Sequence, residues 1–377
     1  MIEAAAWVLL IVSAWPALVL AIELLAAQLP ARPIPTGGSP SIAIIIPAHD
    51  EAASISHAVD AARSAAPAHT RLLVVADNCS DDSAARARAA GAETIERHDP
   101  VQRGKGYALG FARRHLADDP PDVVIVLDAD CAIADDGIAH LAAAAQALGR
   151  PVQSAYLMRP RPERGALVGL SGFAFLLRNL VRQRGLARLA APALLTGSGM
   201  AFPWRAFAAA PLDSGDLVED LAIGIALARV GLAPAFLGDV MTLSDPARRS
   251  ATLTQRARWE QGFLRTARRA APPLICAGRW PLFWLGLHLT VPPLALLMLV
   301  DLGALLLLGA TSVPFAILAA LLGLLGLLLL LSWARFGRRQ LPASQLLLIP
   351  FYMIWKLPLY AAALLRPEKR WVRTDRD

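Results

Sequence analysis

The chain has 377 residues, a net charge of +7 and 56% hydrophobic residues. That apolar share exceeds the norm for a water-soluble domain, and the charged residues gather between about 48 and 280, which leaves one substantial soluble domain between two apolar ends. The basic residues lie beside the apolar tracts without interleaved aromatics, which argues for membrane lipids as partners and against nucleic acid.

From the N-terminus, "AAAWVLLIVSAWPALVLAIELLAAQ" (4–28) is long enough to cross a bilayer at ~1.5 Å per residue. A cleaved signal peptide is the competing reading. No Lys or Arg precedes the run, however, and it is longer than a signal h-region. Residues 1–29 are therefore expected to be a transmembrane anchor. Arg32 is the first basic residue, so the chain after the anchor is expected in the cytosol. A Pro/Gly-rich linker (30–40) separates the anchor from a domain expected over 41–272.

In that domain the pattern alternates. "SIAIIIP", "RLLVVAD" and "DVVIVLD" are short continuous apolar runs, as in strands covered on both faces. Ala-rich stretches at 51–66, 80–90 and 103–116 favour helix between them. This predicts an α/β fold with a mostly parallel sheet and right-handed crossovers. Ligands of such sheets sit beyond the carboxyl ends of the strands, where this chain places "PAHDE", "ADNCSDD" and "DAD".

Asp77 ends its strand and is suited to hydrogen-bonding a base or ribose; the plainer reading, a helix cap, is already served by Ser80 and Asp81. "RGKGY" (103–107) is a Gly-rich turn whose Lys105 is suited to phosphate, although it lacks the flanking pattern of a P-loop. Asp128 and Asp130 flank Ala129, and in an extended stretch they share a side. Their mutual repulsion is relieved by a hard divalent cation shared with phosphate oxygens. A phosphatase reading, with Asp128 as nucleophile and Asp130 as acid, fits less well because Ala132 stands where a Thr or Val is usual; a solvated turn is the plain alternative. Glu219 and Asp220 open a helical stretch (215–231), either as acids favourable to the helix dipole or with one serving as general base. Gln255, Arg258 and Trp259 fall within one helical turn, suited to a diphosphate and a sugar ring, or else to lipid headgroups. The stretch 169–189, with Arg178, Arg182, Arg184 and Arg188, reads equally as an interfacial helix admitting a lipid or as a core helix with one wet face.

Beyond 280, the tracts 280–310 and 313–336 read as two spans returning to a basic "RFGRRQ". The tract 346–365, interrupted by Pro350, Lys356 and Pro358, is either a third span or an interfacial helix; the interfacial reading keeps the basic tail (366–377) inside. Three cysteines, Cys79, Cys131 and Cys276, show no pairing or ligand spacing, as in a reducing compartment.

In order and spacing, "IIIPAHDE", "VVADNCSDD", "DAD", "GSGM" (197–200), "ED" and "QRARW" resemble the membrane-bound members of glycosyltransferase family 2, the cellulose, chitin, hyaluronan and poly-N-acetylglucosamine synthases. The resemblance implies a GT-A fold and inverting transfer from a nucleotide sugar, a UDP-sugar first, to a growing polysaccharide or oligosaccharide. It implies Asp77 and Glu51 on the nucleotide, and Asp128 and Asp130 on Mg2+ or Mn2+, with Asp130 the first ligand and Asp128 shared with the ribose. Asp220 is implied as base, Gly197, Ser198 and Gly199 as the acceptor-side loop, and Glu219, Gln255, Arg258 and Trp259 on acceptor and diphosphate. Polysaccharide-synthesis or export partners and a bacterial-type inner or plasma membrane follow from the same resemblance. The alternatives are transfer of one sugar to a lipid acceptor, as in ceramide glucosyltransferases, and an inactive nucleotide-sugar sensor.

Overall fold

The computed structural model describes residues 2–215, 218–246 and 249–365; the side chains of 2, 249–258, 359 and 361–365 lie outside the description, as does the tail 366–377. Eight strands form one sheet: β1 (Ile42–Ala48), β2 (Arg71–Asp77), β3 (Glu93–Arg97), β4 (Val123–Val126), β5 (Cys131–Ile133), β6 (Val152–Met158), β7 (Met200–Pro203) and β8 (Ala235–Ser244). Their order is β3-β2-β1-β4-β7-β6-β8-β5. The half β3-β2-β1-β4 is parallel, as the apolar runs predict, whereas β7 is antiparallel to both β4 and β6, and β5 to β8. β5 has three residues and β7 four, too short to show a period, so the sheet is more mixed than the sequence pattern suggests.

The apolar runs are buried because helices cover both faces. Ile44 and Ile46 of β1 pack with Ile55, Val59, Ile138 and Leu141 from helices Ile55–Ala65 and Gly137–Leu148. Ala43 and Ile45, one residue out of phase, pack with Leu109, Leu116, Ile223 and Leu227 from helices Lys105–Leu116 and Glu219–Arg229.

Two helical segments, Glu3–Ala27 and Val313–Gly337, are long and apolar enough to cross a membrane. The tract expected as one span over 280–310 is instead two helices, Trp280–Thr290 and Leu294–Leu308, bent by 69°. Pro292 and Pro293 lie at the bend and cannot donate the backbone hydrogen bonds that would continue the helix. Helix Ile349–Leu365 has 17 residues, fewer than the ~20 that cross the hydrocarbon core. The arginine-rich stretch at 169–189 does not lie on the surface. It folds as helix Ala166–Leu176, a π-helical turn Leu177–Arg182 and helix Gln183–Arg188. Val181 and Leu186 pack against Leu20, Leu24 and Leu285 in a core shared with the N-terminal helix. Arg182 is buried there, with its Nε donating to Glu23 Oε2 at 2.7 Å.

Candidate active site

The carboxyl ends of β1, β2 and β4 open onto a cleft of about 250 Å3. Glu51, Asp77, Lys105, Asp128, Asp130, Gly197, Glu219, Asp220 and Trp259 all line it. Residues that the sequence scatters over two hundred positions thus face one space.

Asp77 closes β2, and its Oδ1 accepts from Arg97 at 2.7 Å and from Asn78 at 3.0 Å. It is no helix cap, because Asp81 takes the Ser83 amide at 2.9 Å. Arg97 ends β3 and is itself buried, stacked over Tyr107 at 5.5 Å. Glu51 receives the Ser54 hydroxyl at 2.8 Å, which turns its carboxylate at the start of the following helix. The neighbouring Asp50 binds the Ser80 amide at 2.6 Å from a left-handed backbone (φ 54°), so it ties the two strand-end loops together.

β4 ends at Val126, and Asp128 and Asp130 lie in a turn closed by the Cys131 amide on the Asp128 carbonyl (3.0 Å). They are therefore not in extended chain as the alternation implies, yet ligand atoms of Asp128, Asp130 and Cys131 all lie within 4.8 Å of one another. The Cys131 thiol is buried and contacts Asp130 Oδ1 and the Tyr156 hydroxyl at 3.5 and 3.6 Å. Burial, and then the charges of Asp130 and Asp128, push its ionisation well up, so the thiol stays protonated and is a poor ligand. Two hard carboxylates remain, a donor set that fits Mg2+ or Mn2+ carrying phosphate oxygens rather than zinc.

Lys105 begins its helix and binds both Asp128 Oδ1 and, at 2.6 Å, the Gly197 carbonyl. Burial alone would lower its basicity, but Asp128, Glu219 and Asp220 outweigh burial and raise it. Glu219 and Asp220 occupy the first turn of helix Glu219–Arg229. Burial, then repulsion from Asp220, lifts the Glu219 carboxyl to about 7 against the pull of Lys105. Asp220 is raised as well, chiefly by burial, although the Leu221 amide donates to its Oδ1 at 2.8 Å and Lys105 and Arg178 oppose the shift. Two acids whose ionisation is raised thus face a lysine and a second pair of carboxylates.

Of the "GSGM" loop, Gly197 alone among the described residues lines the cleft; Ser198 and Gly199 lie beneath it. The Ser198 hydroxyl accepts the Asp128 amide at 3.1 Å, fixing the turn from below. Gly199 has φ 67°, and a Cβ there would stand 2.0 Å from Thr242 Oγ1 and 2.1 Å from Ser154 Oγ. Trp259 stacks on Phe175, centroids 5.7 Å apart and planes inclined by 30°. The side chains of Gln255 and Arg258 lie outside the described residues; their backbone belongs to helix Arg249–Ile275. Sequence reasoning missed Arg97, Tyr156, Phe175 and Thr196. Arg97 was open to the same strand-end logic as Asp77, whereas the others come from elements whose place in the fold has no local signature.

The mannosyltransferase PcManGT from Pyrobaculum calidifontis, in complex with GDP-Man and Mn2+, is similar over 95% of this chain and 100% of its own, with 21% identity and a TM-score of 0.59. Glucosyl-3-phosphoglycerate synthase from Mycobacterium tuberculosis, in complex with Mn2+, UDP and glucosyl-3-phosphoglycerate, matches 61% of this chain and 80% of its own at 24% identity and a TM-score of 0.43. No curated protein matches. The fold is of the GT-A type. The model of the family described as "Glycosyltransferase like family 2" matches residues 40–262, well over half of the chain, and the protein accordingly belongs to that family and is a glycosyltransferase.

Proposed function

We propose that this protein is an inverting, metal-dependent transferase working at a membrane surface, with 41–272 as its cytosolic transferase domain and 1–29 and 280–365 as its membrane parts. Its donor is a nucleoside-diphosphate sugar, a UDP-sugar first, and its acceptor a carbohydrate or lipid-linked hydroxyl. The observation that carries this reading is the facing of Asp128 and Asp130 against the raised pair Glu219 and Asp220 in one cleft.

Asp77, Arg97 and Glu51 suit the nucleoside, and Lys105 and Arg178 suit the diphosphate. Asp130, with Asp128, would hold Mg2+ or Mn2+, which when bound neutralises the diphosphate. Asp220 takes the proton of the acceptor hydroxyl as its oxygen bonds to the anomeric carbon. The bond from that carbon to the diphosphate breaks, and its electron pair leaves with the nucleoside diphosphate. Glu219, protonated below about pH 7, eases the repulsion on Asp220 and helps orient the acceptor. Trp259 closes the acceptor side, and Gln255 and Arg258 are assigned with it to the acceptor and diphosphate from their motif.

Membranes containing the protein, incubated with a panel of UDP- and GDP-sugars and Mn2+, are expected to consume one donor. Asp220→Asn is expected to lose about 100-fold or more in rate while still binding the nucleotide. An Asp220→Asn protein with full transferase activity removes Asp220 as the base.

A further inference from the structure

A second cavity, of about 410 Å3, lies between the N-terminal helix and the helices beyond 280, within the size range of small-molecule sites. Its walls include Leu20, Leu24, Phe173, Met298, Leu322 and Tyr352. Phe175, Arg178 and Trp259 line both this cavity and the Asp220 cleft, so the two spaces meet at the Trp259–Phe175 stack. Two other lining residues, Leu302 and Ile349, are 49% and 38% exposed on the outside of the apolar helices. The cavity therefore reaches from the surface a bilayer would cover to the candidate active site.

One polar side chain in its wall stands out. His288 is 1% exposed and lines the cavity; its Nδ1 lies 2.8 Å from Glu23 Oε1 and 3.0 Å from an Arg182 guanidinium nitrogen. Its Nε2 is buried and has no hydrogen-bond partner among the described residues. An unpaired ring nitrogen in an apolar cavity is costly unless the occupant brings a polar atom to it.

We infer that the acceptor is a membrane lipid with a free hydroxyl: its chain fills this cavity, a polar group of its linkage region meets His288 Nε2, and its hydroxyl passes Phe175, Arg178 and Trp259 to Asp220. This rests on the transferase reading of the Asp220 cleft. A hydroxyl is the chemistry that needs a carboxylate base; a lipid phosphate is already ionised and needs none. The lipid oxygen replaces the diphosphate oxygen on the anomeric carbon, its proton passing to Asp220 and the bonding pair leaving with the nucleoside diphosphate. An apolar lining of this kind suits a hydrocarbon chain better than it suits a sugar polymer, which needs a hydrated path.

The test uses the full chain. Membranes given radiolabelled nucleotide sugars should yield a product that partitions into chloroform–methanol and withstands mild acid. With purified protein and dihexanoyl-, dioctanoyl- and didecanoylglycerol as acceptors, KM should fall about fourfold for each methylene buried, with kcat little changed. His288→Asn keeps an atom facing Glu23 and removes Nε2; it should raise the acceptor KM about tenfold, and His288→Gln should recover much of the loss. Leu302→Trp, at the exposed end of the cavity, should raise KM most for the longest chain. Binding of UDP with Mn2+ reports an intact donor site in each variant. Label found only in water-soluble sugar or insoluble polymer, a product released by mild acid as from a lipid phosphate, or a KM independent of chain length would overturn the inference and leave the transferase reading standing. If no nucleotide sugar is consumed at all, both fall.

Discussion

Replacing Lys105 by methionine removes an ammonium that faces the acids of the cleft and should move the acidic limb of the pH–rate profile. The size of the shift follows from the geometry. A Cβ built on Gly197 lies 3.4 Å from Asp220 Oδ2 and 3.7 Å from Lys105 Nζ, so the two charges stand no more than about 7 Å apart. At that distance and an effective dielectric constant of ~20, their attraction is at least about 2.4 kcal/mol. That corresponds to a rise of roughly 1.7 pH units in the carboxyl pair when the lysine is removed. The base must be ionised to work, so activity rises with pH through the limb, which the raised Glu219–Asp220 pair sets. In Lys105→Met the limb should move up by roughly 1.7 pH units, with activity on its acidic side cut by up to about 50-fold and much of it regained at higher pH. The assay is initial rate of donor consumption from pH 5.5 to 9.5, with Mn2+ saturating so that the loss of the Lys105–Asp128 contact does not register as metal loss. A uniform loss of rate with the limb unmoved would refute the electrostatic role given to Lys105.

Chelation by EDTA should abolish transfer, with Mn2+ or Mg2+ restoring it, and Asp130→Asn should raise the metal concentration for half-maximal rate at least about tenfold; titration of activity against Mn2+ measures both. Gly199→Ala should destabilise the protein by about 2–5 kcal/mol, combining left-handed strain with overpacking against Thr242 and Ser154, as read from thermal unfolding in detergent. Serine at Gly149, also at positive φ but with nothing within 4 Å of its Cβ, should cost far less.

The parallel half of the sheet was readable because β1, β2 and β4 carry continuous apolar runs rich in Ile, Val and Leu, a pattern that arises when helices cover both faces. The strand-end rule then carried Asp77, Asp128 and Asp130 into one cleft without any knowledge of tertiary contacts. The antiparallel strands were not readable: β5 and β7 owe their existence to partners far along the chain, not to local pattern. The arginines of 169–189 show the same limit. Their spacing suits a lipid surface, and partners far along the chain, among them Glu23, 159 residues from Arg182, and the core around Val181 and Leu186, hold that helix in the interior. Ser198 and Gly199 stand in a recognisable motif, but what they do, holding the Asp128 turn from beneath, depends on Ser154 and Thr242 on other strands.

The link between Glu23, Arg182 and His288 has a consequence for how the chain is made. Glu23 is synthesised first, while Arg182 and His288 follow 159 and 265 residues later. At about 5–20 residues per second, the carboxylate waits roughly 10 to 50 seconds for its full set of partners. In the proposed membrane placement an unpaired carboxylate within the span is costly, so the first helix is poorly settled until the later ones arrive. A chain cut short before His288 would retain an ill-satisfied first helix, and quality control of membrane proteins could read that as a sign of incomplete synthesis.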